Sequence, residues 1–198
     1  MLNTINDAWQ QAIRDIDTAA ISKLLADEPT LVHQGIVHTR RNGTTYEVLP
    51  LEMVNKSLDA AKILVAAGAD PNEAGQGDAL PLHNSALDVA RFLLGAGADV
   101  NKVGYEGCTL LMYEVYMKNH DTARLFIEQG ANVDFQRQLD GFCSLHFAVQ
   151  KRDTEMVDIL LAAGVDSSVK NDDGQTPLDI AIANGTTDII NQLESDAG

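Results

Sequence analysis

Basic residues are scarce in this chain. Only 14 Lys and Arg stand against 29 Asp and Glu, a net charge of −15 over 198 residues. Sequence-independent binding to nucleic acid needs a basic footprint, so it is disfavoured here. Docking on anionic lipid is disfavoured for the same reason. Cysteine is scarcer still, with Cys108 and Cys143 alone. Two cysteines in a chain this long make no disulfide framework; small buried thiols in a reducing compartment, the cytoplasm, are expected. Long apolar runs are missing too. The most apolar stretch, Ala60 to Ala69, is interrupted by Lys62 and is too short to span a bilayer. The opening "MLNTINDAWQ" lacks a basic segment followed by an apolar one, so no secretory signal is expected.

Motifs for chemistry are equally thin. The five histidines (His33, His38, His83, His120, His146) show no His-x-x-x-His spacing, and there is no Cys-x-x-Cys. Neither Gly-x-x-x-x-Gly-Lys-Ser/Thr nor Gly-x-Gly-x-x-Gly occurs. Paired carboxylates such as Asp172–Asp173 read as a solvated face, and no nucleophile–base pair can be named. The expectation is a protein without metal, cofactor or enzymatic activity.

What is present is repetition. Hydrophobic residues make up 45% of the chain, enough to bury a core. Gly-Ala-Asp-x-Asn occurs at Gly68 ("GADPN") and Gly97 ("GADVN"), with weaker copies at Gly130 ("GANVD") and Gly164 ("GVDSS"). Each copy follows an apolar segment: "AAKILVAAG", "VARFLLGAG", "TARLFIEQG", "MVDILLAAG". In the last, Val157, Leu160 and Leu161 give the spacing of one buried helix face, and the glycine marks a left-handed stop. A second motif precedes each of these helices: "LPLE", "LPLH", "TLLM", "CSLH" and "TPLD". In "TPLD", Thr176 can cap a helix, Pro177 fits its first position and Leu178 points inward.

Motifs alternating at near-constant spacing signal a repeat architecture. The pattern resembles the ankyrin repeat, best through "TPLD" and "GADVN", over roughly residues 5–195. The resemblance implies an all-α solenoid of about six two-helix repeats forming a single domain. Its parts are a capping repeat at 1–33, a β-hairpin at 34–48, central repeats at 49–168 and a final cap at 169–198. His83 and His146 take the family's structural histidine position. "LLADEPTLV" and the small size look like bacterial ankyrin proteins.

Three stretches depart from the pattern. In "GIVHTRRNGTTYEVL", Asn42-Gly43 between β-formers predicts a projecting hairpin with Val37 opposite Val48, His38 opposite Glu47 and Thr39 opposite Tyr46. It reads either as a cover over the first repeat or as a finger carrying Arg40, Arg41 and Tyr46 to a partner. The second and third repeats are short, and "PLHNSA" is barely a helix. In "TLLMYEVYMKN", Glu114 falls where the family buries alanine. A buried carboxylate is costly unless paired or protonated, so Glu114 is expected to point into room left by the shortened third repeat, hydrogen-bonded or wet.

The family binds proteins through turn tips and the exposed side of each first helix. Carried over, that face holds Tyr105, Glu106, Tyr113, Tyr116 and Met117 in the fourth repeat, and Arg137, Leu139, Phe142, Phe147, Gln150 and Lys151 in the fifth; Glu114 is added to it as the residue expected to point into the groove. Tyr105, Tyr113, Tyr116, Phe135, Phe142 and Phe147 are six of the ten aromatic residues and fall within 43 positions, and aromatics with Met and Arg are the composition of an interface centre. The reading is a monomeric protein-binding module whose acidic surface steers a basic partner. Within it, an inhibitor or immunity protein that neutralises a toxin stands beside an adaptor that tethers or stabilises an enzyme.

Overall fold

The computed structural model describes residues 2–39 and 43–196. It divides the chain into two compact units, Met1–Asp99 and Val100–Gly198. Among the described residues there are eleven α-helices and one two-stranded sheet.

The first unit opens with α1 (Leu2–Asp15) and α2 (Thr18–Asp27), broken at Ile16, whose φ is 54°. Asp17 caps α2 by accepting from the Ala20 N–H at 3.0 Å. Trp9, fully buried, donates its indole N–H to the Gln34 carbonyl at 3.3 Å. Next come strands β1 (Ile36–Thr39) and β2 (Thr45–Val48), then α3 (Pro50–Met53), α4 (Leu58–Ala66) and α5 (Leu87–Gly95).

The hairpin forms in a register one residue away from expectation: Ile36 faces Val48, Val37 Glu47, His38 Tyr46 and Thr39 Thr45. A two-residue Asn42-Gly43 turn encloses an even number of residues between paired positions. Here Thr39 and Thr45 enclose five, an odd-length loop with Gly43 left-handed at φ 83°. The observed register puts Ile36, His38, Tyr46 and Val48 on the more buried face and Val37, Thr45 and Glu47 on the exposed one. The base of the hairpin is held down. Arg14 donates to the Val37 carbonyl at 2.7 Å, His38 contacts Met53 Sδ at 3.2 Å, and the Glu47 N–H donates to Gln76 Oε1 at 3.1 Å.

The shortened third repeat has lost its first helix. Only a turn remains at 81–84, with Asn84 at φ 52° and the Ser85 hydroxyl donating to the Pro81 carbonyl at 2.6 Å. Asn55 stitches this turn to the preceding repeat by donating to the His83 carbonyl and accepting the Ala86 N–H at its own carbonyl.

The second unit is regular. Its helices are α6 (Leu110–Met117), α7 (His120–Glu128), α8 (Ser144–Gln150), α9 (Thr154–Ala162), α10 (Pro177–Asn184) and α11 (Thr187–Asp196). First helices α6, α8 and α10 pack side by side, as do second helices α7, α9 and α11, around one core centred on Leu145, Ala148, Met156 and Leu160. Start signals work as their chemistry dictates. Thr109 accepts from the Met112 N–H, Asp153 from the Met156 N–H, and Thr176 forms a reciprocal box with Asp179. His146 Nδ1 accepts the Cys143 N–H at 3.2 Å and its Nε2–H donates to the Gln175 carbonyl at 3.1 Å, locking one neutral tautomer across two repeats. Burial holds its pKa below the usual histidine value.

The Asn of Gly-Ala-Asp-x-Asn has a matching inter-repeat role. Asn101 donates to the Gly130 carbonyl at 3.0 Å and accepts the Asn132 N–H at 2.7 Å. Asn72 makes the same pair of bonds, to Gly97 and Asp99, in the first unit. Asp134 replaces that Asn in the next repeat. It still accepts the Asp166 N–H at 2.8 Å, but a carboxylate has no N–H to donate.

Candidate protein-interaction groove

The site is built on two turns and two first helices of the second unit. The fourth-repeat turn closes through the Gly104 N–H to Cys108 carbonyl bond at 2.9 Å, with Glu106 in a left-handed conformation at φ 52°. This lifts Tyr105, half exposed, to the tip. The fifth-repeat turn is clamped by an ion pair: Asp140 accepts from Arg137 Nε at 2.9 Å and from its Nη2, and also from the Phe142 N–H at 3.2 Å. Arg137 holds the Asp140 carboxyl below the usual carboxylate range, and Asp140 raises the guanidinium further above its already high value. Leu139, between the paired charges, is left 71% exposed.

Behind the turns lies a groove of about 440 Å³ between α6 and α8, lined by Tyr105, Cys108, Met112, Tyr113, Tyr116, Met117, Arg137 and Phe147, with Glu106 and Gln150 at its edge. Its rings form a connected set. Tyr116 meets Phe147 edge-on at 6.3 Å, and Phe147 meets Phe142 at 5.4 Å. Both nearby cations rest on this set, Arg137 over Phe147 at 5.0 Å and Lys151 over Tyr116 at 3.3 Å. Tyr116 and Met117 remain 48% and 44% exposed.

The face is one-sided. In the second unit the large apolar side chains left exposed are Val103, Tyr105, Tyr116, Met117, Leu139 and Ile182. Five of them lie on turns or on α6; none lies on α7, α9 or α11. Ile182 is a separate case, because it stands at the register position of buried Val115 and Val149, with no further helix pair among the described residues to cover it. Sequence register gave no signal for its exposure.

Of the residues expected at the contact face, Tyr105, Glu106, Tyr113, Tyr116, Met117, Arg137, Phe142, Gln150 and Lys151 are brought together around the groove, with Leu139 on the adjoining tip. Two expectations are corrected. Glu114 is 0% exposed and offers no surface. Its carboxylate accepts from Asn119 Nδ2 at 2.6 Å, while the Asn119 N–H donates to the Glu114 carbonyl at 2.9 Å, so the residue fastens the α6–α7 turn. Phe147 is 5% exposed, because Arg137, Phe142 and Tyr116 close over its ring and make it floor rather than rim. In the first unit Tyr46 is half-buried and stacks on His38 at 5.4 Å. Arg40 and Arg41 lie outside the described residues.

Chemistry at the groove is quiet. Burial pushes the Cys108 thiol up, against a smaller opposing pull from the Arg137 hydrogen bond, so it is disfavoured as a thiolate. Cys143 Sγ does approach His146 Nδ1 at 3.0 Å, the nucleophile–base spacing that the sequence did not reveal. Both side chains are wholly buried, burial raises the thiol, and Nδ1 already accepts a backbone N–H. No substrate can reach that pair. Among the described residues no group of three or more His, Cys, Asp or Glu is arranged to hold a metal ion. No helix there is long and apolar enough to cross a membrane.

The family model for ankyrin repeats (3 copies) matches at residues 51–137, 78–171 and 111–197. The chain belongs to the ankyrin-repeat family. Its first helix pair and its hairpin precede the matched residues. Relatives include the human 2-5A-dependent ribonuclease, 35% identical over 77 residues, which are 39% of this chain and 10% of that protein. Another is the ankyrin repeat protein FPV031 of fowlpox virus (strain NVSL), 34% identical over 89 residues, 44% of this chain and 26% of the viral one. This chain thus spans about a tenth and about a quarter of the length of these relatives. Ankyrin repeats are protein–protein interaction modules, and here the second unit carries an apolar face.

Proposed function

We propose that this ankyrin chain binds a partner protein through the turn-and-first-helix face of its second unit and carries out no chemistry of its own. The observation that carries this is the one-sided exposure of Tyr105, Tyr116, Met117 and Leu139 around a groove of about 440 Å³. Apolar and aromatic side chains gathered on one face, over charged second helices, are the composition of an interface core. The net charge of −15 supports fast encounter with a basic partner. Within this reading the chain is a monomeric inhibitor, of the immunity-protein kind found in bacteria, acting in the cytoplasm by covering a toxin's or enzyme's working surface.

The test is to isolate the partner by affinity capture, purify it, and assay its activity with and without this chain. Stoichiometric loss of activity is expected. Full activity in a tight complex would make the chain an adaptor or stabilising factor. Turnover of a substrate by this chain alone would end the non-enzymatic reading.

A further inference from the structure

We propose that the groove between α6 and α8 takes an uncharged apolar side chain from the partner, as the anchor of the complex, and that the basic character favoured for the partner lies outside the groove. The proposal rests on the reading that this face binds protein, and it names what enters.

The groove is close to neutral in a chain of net charge −15. Of the cations beside it, Arg137 is held by Asp140 and by the face of Phe147, and Lys151 is seated on Tyr116. The acid at its edge, Glu106, stands on the tip of the turn rather than on the floor. An incoming guanidinium or ammonium would enter beside two like charges already on the rings. An incoming carboxylate would have to displace Asp140 from Arg137 or draw Lys151 off the Tyr116 ring, and a desolvated charge left without a partner is costly. An apolar side chain demands neither. It meets Met112 and Phe147 on the floor and Tyr116 and Met117 on the walls. Thioethers adapt their shape to whatever arrives. The same apolar character continues outward to exposed Tyr105 and Leu139, so an anchor inside the groove would be ringed by further apolar contact.

The experiment uses the full chain with ¹³C-methyl-labelled methionine, titrated separately with indole, methylguanidinium and acetate. Met112 and Met117 report the groove; Met53 and Met156 lie elsewhere and serve as internal references. Indole is expected to shift Met112 and Met117 saturably, with a Kd of about 1–10 mM, leaving the reference methyls in place. Methylguanidinium and acetate are expected to bind at least about tenfold more weakly. Methylguanidinium or acetate binding as tightly as indole overturns the proposal and leaves the protein-binding reading intact, with a charged anchor. No saturable shift with any probe overturns it as well. Sedimentation at several concentrations covers the remaining occupant: self-association that indole reverses would put an exposed apolar side chain of a second copy in the groove, and would overturn a foreign partner's anchor. Failure of the broader reading would look different, because partner affinity would then be indifferent to Tyr116→Ala.

Discussion

The two units of this chain build the same motif with unequal success. The second unit stacks three complete helix pairs, with Thr109, Asp153 and Thr176 capping helices and His146 bridging repeats. The first unit has Leu49 and Ala86 at cap positions that can offer no side-chain acceptor, and a first helix reduced to a turn. Regular stacking produces a continuous row of first helices, and the apolar groove lies on that row. Where a first helix is missing the row is interrupted. The candidate site therefore belongs to the regular unit because regularity creates the surface.

The comparison breaks most severely where two turns touch. Gly141 has φ 71°, and a Cβ there would stand 2.6 Å from Asp172 Oδ1 and 2.8 Å from the Asp172 nitrogen. Gly141→Ala should destabilise the second unit by about 2–4 kcal/mol through left-handed strain and the clash. Urea unfolding should show this in the tyrosine signal, since Tyr105, Tyr113 and Tyr116 lie in that unit. The signal of Trp9, in the first unit, should report a smaller change.

A second contrast is electrostatic and sets two groups of the first unit against each other. Burial pushes the Glu52 carboxyl up to about 7, with Glu73 adding to the rise, and holds the His83 imidazole down at about 4. Between about pH 4.5 and 7 folded Glu52 keeps a proton that the unfolded chain has lost, so its contribution to stability falls as pH rises. Between about pH 6.5 and 4 the unfolded chain binds a proton that folded His83 refuses, so its contribution falls as pH drops. The two slopes oppose each other from about pH 4.5 to 6.5. Glu52→Gln should leave the histidine slope, a gain of about 2 kcal/mol across that window as pH rises. His83→Gln should leave the carboxyl slope, a loss of about 1 kcal/mol after allowance for solvent screening. Urea midpoints read from Trp9 fluorescence across this range check both.

The smallest effects should narrow the gap from either side. Asp134→Asn restores the donor that Asn72 and Asn101 use, and should stabilise the second unit by about 0.5–1 kcal/mol. Ala86→Ser gives α5 the cap it lacks, and should stabilise the first unit by about as much. Thermal melts followed at both chromophores would assign each gain to its unit.

Much of this architecture was legible in the sequence, because ankyrin motifs act locally. Gly130 and Gly164 end helices at positive φ, Thr176 caps with Asp179, and the few residues between Leu80 and Ala86 leave no room for a helix. The hairpin register was not legible. It depends on how many residues the loop spends rather than on which dipeptide it contains. Register put Tyr116 and Met117 on the exposed side of α6, where they lie, since exposure there follows from position on the helix. It misplaced Glu114 and Phe147, whose burial is set by Asn119, Phe142 and the Arg137–Asp140 clamp. Those contacts join a helix to its own turn or to a neighbouring repeat, and no single motif reports them.

The central claim is that the exposed apolar face of the second unit is the binding surface. The direct measurement is the Kd for the purified partner of Tyr116→Ala/Met117→Ala beside that of Glu128→Ala/Asp158→Ala, which changes exposed positions on α7 and α9. The account predicts that the first pair weakens binding by about 30-fold or more, roughly 2 kcal/mol, with the melting temperature held, while the second changes it by less than about threefold. An unchanged Kd for the first pair, or a larger loss for the second, would contradict it.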